Sequence, residues 1–221
     1  MSVALEKISK SYNGLTALEN LNIEVKKGEF HVLLGPSGSG KTTVISIIAG
    51  LTKQDKGTVI IGDCNVNDLP PEKRSVGFVF QDYAQFPHLS VFENVAYGLR
   101  VRKVKEKEII QKVDCYLSKV GIEKERNKFP HQLSGGQKQR VALARALITE
   151  PEILLMDEPM SNLDVLTKEK IESELKKIQK ETGVTTVYVT HNQDEAFALG
   201  DRVSVLNNGM IEQIESPDEL F

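Results

Sequence analysis

The feature that most constrains this chain is the alternation of short, nearly uninterrupted apolar runs with stretches of helical periodicity. The β-rich runs are Asn20 to Val25, Glu29 to Leu34, Thr58 to Ile61, Ser75 to Phe80, Ile153 to Met156, Thr185 to Val189 and Arg202 to Leu206. A strand with one face in water reads as apolar and polar in turn, whereas a strand covered on both faces reads apolar throughout. Several runs are of the second kind, so the expected class is α/β with a largely parallel sheet. At 221 residues, 40% of them hydrophobic, the chain can build one or at most two domains around a full core.

The rhythm breaks in the middle. Between Lys105 and Val120 the residues Ile109, Ile110, Val113, Tyr116, Leu117 and Val120 share one helical face. Phe92 to Lys128 therefore reads as a helical subdomain inserted into the α/β core, extending to about residue 150 with the amphipathic run Val141 to Leu147. From Arg100 to Lys128 ten Lys or Arg stand against five Asp or Glu. That surplus is either a solvated helix face or a docking surface for a partner.

The whole chain carries 28 basic and 31 acidic residues, a net charge of −3, so no overall basic field draws it onto nucleic acid or anionic lipid. Its longest apolar stretch, Val44 to Leu51, is broken by Ser46 and Gly50, far short of the ~20 residues of a membrane span. A soluble chain is expected. Cys64 and Cys115 are too few for a disulfide framework, and the first residues lack a basic region followed by an apolar one, so a reducing cytoplasm fits. Ser216-Pro217-Asp218-Glu219 has the signals of a helix start, yet two residues follow. The end reads as a stub packed on the core or as a cut at the start of further sequence, the second being the expectation.

Three motifs carry chemistry. Gly35, Pro36, Ser37, Gly38, Ser39, Gly40, Lys41 and Thr42 follow the run Phe30 to Leu34 and open the helical stretch Thr43 to Ala49. This is a phosphate-binding loop in its required strand–loop–helix setting. The glycines let successive N–H groups turn onto a β-phosphate, Lys41 reaches β- and γ-oxygens, and the Thr42 hydroxyl can ligate Mg²⁺. Ile153 to Met156 is an apolar strand ending in Asp157, Glu158 and Pro159. Neighbouring side chains on a strand point in different directions, so Asp157 suits a Mg²⁺ shell beside Thr42 and Glu158 suits polarising an attacking water. Alone, such an ending is an ordinary polar turn; the phosphate loop upstream changes its meaning.

The third motif, Leu133-Ser134-Gly135-Gly136-Gln137, has two readings. Ser-x-x-Gln is a helix capping box ahead of Val141 to Leu147. Capping alone does not ask for two glycines in the first turn, where each costs the helix ~1 kcal/mol relative to Ala. Small residues there expose N–H groups at the positive helix end, a second anion site suited to a γ-phosphate. Tyr12 before the first strands, Gln81 after Val76 to Phe80, and His191 after Thr185 to Val189 would each be structural in isolation. Gln81 and His191 follow strand C-termini, where α/β sheets bind ligands.

Together these segments resemble the ATP-binding cassette (ABC) ATPases over essentially the whole chain: Walker A (Gly35 to Thr42), Gln81, the signature at 133 to 137, Walker B (Ile153 to Glu158), Ser161-Asn162-Leu163-Asp164 and His191, in that order. The resemblance implies one nucleotide-binding domain over residues 1–221: a P-loop NTPase core, an antiparallel β subdomain and an inserted α-helical subdomain. It implies ATP and Mg²⁺ as cofactors, with Thr42, Gln81 and Asp157 as the metal set, Tyr12 stacking on adenine, and the phosphates held from Gly35 through Thr43. It further implies that Glu158 is the catalytic base, that His191 holds the γ-phosphate beside Lys41, that Gln81 senses Mg²⁺ and the membrane partner, and that Asp164 crosses to another subunit.

Val79 to Ala84, Phe86 to Val95, Ser161 to Asp164 and Tyr188 to His191 are most similar to importer ATPases of the sugar, polyamine, ferric iron and sulfate type. That likeness implies hydrolysis of ATP by a head-to-tail pair of chains, and permease subunits bound at the cytoplasmic face of the membrane. A solute-binding protein would be reached only through the permease, with no nucleic acid partner. Such ATPases usually continue into a small β-barrel regulatory domain, not seen here. The sequence departs at Asn192, where an Asp commonly follows the His, and at Gln213 to Ser216, which lacks the usual Gly. The competing expectations are an exporter ATPase and a soluble ABC ATPase acting on nucleic acid or ribosomes; the single phosphate loop and the lack of a long heptad run speak against the latter.

Overall fold

A computed structural model describes residues 2–161 and 163–220. Asn162, within the Ser161 to Asp164 motif, and Phe221 lie outside the described residues, as do the side chains of Val165 and Leu166. Two sheets form. One is antiparallel, in the order β2-β1-β4-β5, from β1 (Val3–Tyr12), β2 (Leu15–Val25), β4 (Lys56–Ile61) and β5 (Cys64–Asn65). The other has the order β10-β9-β3-β8-β7-β6, from β3 (Phe30–Leu34), β6 (Val76–Val79), β7 (Ile153–Asp157), β8 (Thr185–Thr190), β9 (Arg202–Asn207) and β10 (Met210–Glu215). Within it β9, β3, β8, β7 and β6 are parallel, and only the β10 edge runs against them. The α/β expectation holds, and so does its cause: every residue of β3, β7 and β8 is buried.

Helix α1 (Lys41–Ala49) lies between the sheets. Its Val44, Ile45, Ile47 and Ile48 share one core with Val3, Leu5 and Val59 of the antiparallel sheet and with Leu33, Leu155 and Val187 of the parallel one. A second core on the other face joins α2 (Val91–Val101), α3 (Glu106–Lys119), α4 (Gly135–Leu147), α5 (Val165–Thr182) and α6 (Gln193–Leu199) to Phe30, Val32, Met156 and Tyr188. Helices α2, α3 and α4 fall between β6 and β7 in the chain, where the strand rhythm breaks.

Several expectations need correction. Tyr12 does not precede the first strands but ends β1, a strand the apolar pattern does not announce. The β1–β2 register shifts around Lys7, which has φ +51°, so the buried residues run Val3, Ala4, Leu5 and then Ile8, without a period of two. The unanticipated β10 has the same kind of irregularity, between Ile211 and Gln213. Asn13-Gly14 and Asn208-Gly209, all with φ > 0, turn β1 into β2 and β9 into β10. On α3, Ile109, Val113, Tyr116 and Leu117 are buried as expected, but Ile110 is 40% exposed. Ser216 and Glu219 form the expected capping box, followed by a single 3₁₀ turn at Pro217–Glu219. Among the described residues no helix is long and apolar enough to cross a membrane.

Candidate functional site

The register of the parallel sheet brings the strand ends level: Leu34 lies beside Thr190, and Asp157 beside Val189. The loops after β3, β7, β8 and β6 therefore open on one edge, the ligand-binding edge of α/β sheets. There Thr42 Oγ1 donates to Asp157 Oδ1 at 3.2 Å across 115 residues of sequence. Glu158 Oε1 lies 4.0 Å from Lys41 Nζ, and Glu158 Oε2 lies 3.2 Å from His191 Nδ1. Gln81 Nε2 reaches both Glu158 Oε2 (3.5 Å) and Ser161 Oγ (3.4 Å). Six of the residues singled out from sequence thus form one cluster.

The loop itself is held from behind. A Cβ on Gly35 would sit 2.1 Å from the Leu206 carbonyl oxygen, and one on Gly40, at φ +105°, would sit 2.7 Å from that of Ala17. Gly209 N donates to Ser39 O at 3.0 Å, so the β9–β10 turn pins the loop on one side while β2 backs it on the other. Pro36, Ser37 and Gly38 are exposed at the rim, and Thr43 is half-buried on α1. Lys41 is 4% exposed, its ammonium donating to the Gly35 and Pro36 carbonyls at 2.8 and 2.9 Å. Burial pulls its pKa below the usual lysine value, against the opposing pull of Glu158 and Asp157. Gly35→Ala is expected to destabilise the protein by about 1–3 kcal/mol, because backbone oxygen cannot yield as a side chain does. At about 2–4 °C per kcal/mol for a domain of this size, a thermal midpoint equal to that of the unaltered chain would contradict the packing described.

Burial, with the neighbouring Glu158, raises the Asp157 pKa above its ordinary value, while the Thr42 hydroxyl opposes the shift. A cation held there would relieve that cost. Among the described residues no cluster of three or more acidic, His or Cys side chains could enclose a metal. The pair Thr42–Asp157 instead fits Mg²⁺, which takes few protein oxygens and completes its shell with water and substrate phosphate. The Ser39 hydroxyl, buried and without a partner among the described groups, is a further donor at the loop. Glu158 sits at φ +41°, a conformation costing of order 1–3 kcal/mol that is concentrated at functional sites. Its N–H donates to Val189 O at 3.0 Å, which holds this turn against β8.

Other expected residues lie apart. Tyr12 is 45% exposed at the tip of the β1–β2 hairpin, with Lys10 Nζ 5.3 Å from its ring; the same hairpin backs the loop through Ala17. Ser134 caps α4: its Oγ accepts from Gln137 N, and its own N–H donates to Gln137 Oε1. The capping reading is therefore correct. Gly136 also has a packing reason, since a Cβ there would meet Thr167 Cγ2 at 3.2 Å. The cleft beside Ser134, Gly136 and Gln137 is walled by Ile122, Glu125, Arg140 and Thr167, with no residue of the phosphate loop on its lining. Asp164 caps α5, accepting from Thr167 N and Oγ1 at 3.1 and 2.7 Å.

Sequence reasoning missed the residues that shape the segment after Gln81. Asn94, fully buried in α2, accepts from Phe86 N and donates to the carbonyls of Phe86, Leu89 and Ser90. Arg145 on α4 donates to the carbonyls of Tyr83 and Ala84, both at positive φ. A lone Asn inside an apolar helical run was the available signal for the first. As a result Phe86 stays half-buried against Tyr97, ring centroids 4.6 Å apart, while Phe92 packs on the core.

The ABC transporter family matches residues 18–161. The chain belongs to that family. Among its relatives, the trehalose/maltose import ATP-binding protein MalK of Thermococcus litoralis is 46% identical over 99% of this chain and 60% of its own length. The sulfate/thiosulfate import ATP-binding protein CysA of Xylella fastidiosa is 48% identical over 100% of this chain and 65% of its own. The ABC chain described here thus spans less than two thirds of these relatives. Among solved structures, a dimeric ATP-binding cassette in a post-hydrolysis state with ADP and Pi is 39% identical, with a TM-score of 0.88 over 97% of this chain and 98% of that one. CbiO1 from Clostridium perfringens, part of an ABC transporter complex, is 33% identical, with a TM-score of 0.90 over 99% and 90%.

Proposed function

We propose that this chain binds and hydrolyses ATP with Mg²⁺ as the ATPase subunit of an ABC importer. The observation that carries the reading is the convergence of Lys41, Thr42, Asp157, Glu158, His191 and Gln81 at one sheet edge. Lys41, released from the Gly35 and Pro36 carbonyls, neutralises β- and γ-phosphate charge, and the loop N–H groups from Gly38 onward orient the phosphates. Thr42 and Asp157 would hold Mg²⁺, whose charge offsets that of the triphosphate. Glu158 takes the proton of the attacking water, and its neighbours leave it placed for this: Lys41 on one oxygen, His191 and Gln81 on the other. His191 donates to the γ-phosphate, and Tyr12 offers an aromatic face to adenine.

The names of the relatives support import, and with it permease subunits at the cytoplasmic face of the membrane and a solute-binding protein reached through them. Two chains work head to tail, the phosphate loop of one facing Ser134, Gly135, Gly136 and Gln137 of the other, with Asp164 at the junction. Purified chain is expected to hydrolyse ATP only when Mg²⁺ is added; metal-independent turnover would count against the Thr42–Asp157 assignment. The permease is expected on the segment Phe86 to Val95, where Phe86 is half-buried and His88 exposed. Cysteine replacing His88 should crosslink to a cysteine in a cytoplasmic permease helix of the assembled transporter. If His88→Cys and Gln85→Cys both fail to crosslink, the docking site is elsewhere.

A further inference from the structure

Glu195 is a carboxylate 4% exposed in α6, and it lies outside every motif discussed above. Burying an acid is costly unless its oxygens are occupied, and here they are. Tyr188 Oη and Thr190 Oγ1 both donate to Glu195 Oε2, at 2.9 and 2.8 Å, and Lys168 Nζ donates to Oε1 at 3.2 Å. The three donors come from two elements: Tyr188 and Thr190 from β8, and Lys168 from the first turn of α5. Stability alone does not call for this arrangement, since buried ion pairs are often replaceable by apolar groups without loss.

What the arrangement holds is the His191 loop. The His191 side chain is 53% exposed, yet its Nδ1 lies 3.2 Å from Glu158 Oε2. An exposed imidazole keeps such a position only if the backbone on both sides is fixed. Thr190 provides that: its hydroxyl hydrogen goes to Glu195, and the same oxygen accepts from Asn192 N at 3.0 Å. Asn192 Oδ1 in turn accepts from Glu195 N, capping α6 without adding a second carboxylate next to the first. The other end of the network reaches the Asp164 turn, because Lys168 N donates to Asp164 O at 3.0 Å.

We propose that Glu195 is a positioning residue that fixes His191 against Glu158 through Thr190 and ties that loop, through Lys168, to the Asp164 end of α5. The inference rests on the reading of Glu158 and His191 as parts of an ATP-hydrolysing site. It places a connection inside one chain between the residue at the γ-phosphate and the turn that faces the second chain. Movement of the α5 turn then changes the His191–Glu158 geometry directly.

The test uses the full chain and two substitutions, the isosteric Thr190→Val and the hydroxyl-keeping Thr190→Ser, with Glu195→Gln and Lys168→Met beside them. Thr190→Val removes the hydroxyl alone, so kcat is expected to fall about 10–100-fold, the scale of a misplaced catalytic group, while KM for ATP changes little. Thr190→Ser restores the hydroxyl and should bring kcat back to within about twofold, and Glu195→Gln and Lys168→Met should fall as Thr190→Val does. A second readout needs no turnover. At a fixed pH, Glu158→Gln alone should move the NMR chemical shifts of the His191 ring, and in a Thr190→Val background that response should vanish. Unchanged kcat in Thr190→Val and Glu195→Gln alongside active wild type overturns the inference, as does a Thr190→Ser variant no better than the valine. Wild-type chain without ATP turnover overturns the proposed function as well, which separates the two failures.

Discussion

Glu158→Gln is expected to keep ATP affinity within about twofold and to lose turnover by about 10²–10⁴-fold, the usual contribution of a general base. The amide preserves the shape and one acceptor, so Gln81 and His191 keep a neighbour, but it cannot take a proton from water. Lys41→Ala should fail differently. Lys41 is the cation nearest the loop carbonyls of Gly35 and Pro36, and its loss removes a charge-assisted contact worth about 1.5–3 kcal/mol, or about 10–150-fold in ATP affinity. Equilibrium binding and single-turnover assays on both variants separate the roles. Equal loss of affinity in the two would remove Glu158 from the chemistry, and normal turnover in Glu158→Gln would end the assignment.

Mixing a Lys41→Ala chain with a Ser134→Arg chain should restore trapping of ATP that neither variant shows alone. The capping box ties the Ser134 and Gln137 side chains to each other's backbone N–H, Gln137 also donates to Glu125, and the adjoining cleft has no phosphate-loop residue on its walls. A closed two-fold pair brings each signature turn to the other chain's loop twice. In a mixed pair one composite site has both intact halves and the other has neither, so equal random pairing returns about a quarter of the sites. The contrary result is a Glu158→Gln chain that traps ATP while remaining a monomer by light scattering, since one chain would then hold the whole site. The charge that ATP contributes at such a junction would close the pair, and its loss on hydrolysis would open it.

The chemical content of the site was legible because it is local. A phosphate loop needs its glycines, lysine and threonine within eight consecutive positions, and an acid pair at the end of an apolar strand is visible as such. The all-apolar runs of β3, β7 and β8 likewise announced a sheet buried on both faces. The pattern failed where a bulge altered the strand period: in β1 the buried spacing from Leu5 to Ile8 is three, and in β10 the half-buried Ile211 and Ile214 are also three apart. The Asn13-Gly14 and Asn208-Gly209 turns were the signals that would have recovered both strands. Only the tertiary structure decided which strand ends meet, because the order β9-β3-β8-β7-β6 sets Thr42 against Asp157 and His191 against Glu158, and no spacing in the sequence encodes strand order. The same holds for Asn94, Arg145 and Glu195. Asn94 alone had a signal, its place in an apolar helical run, and the roles of all three come from carbonyls and hydroxyls that folding brings to them.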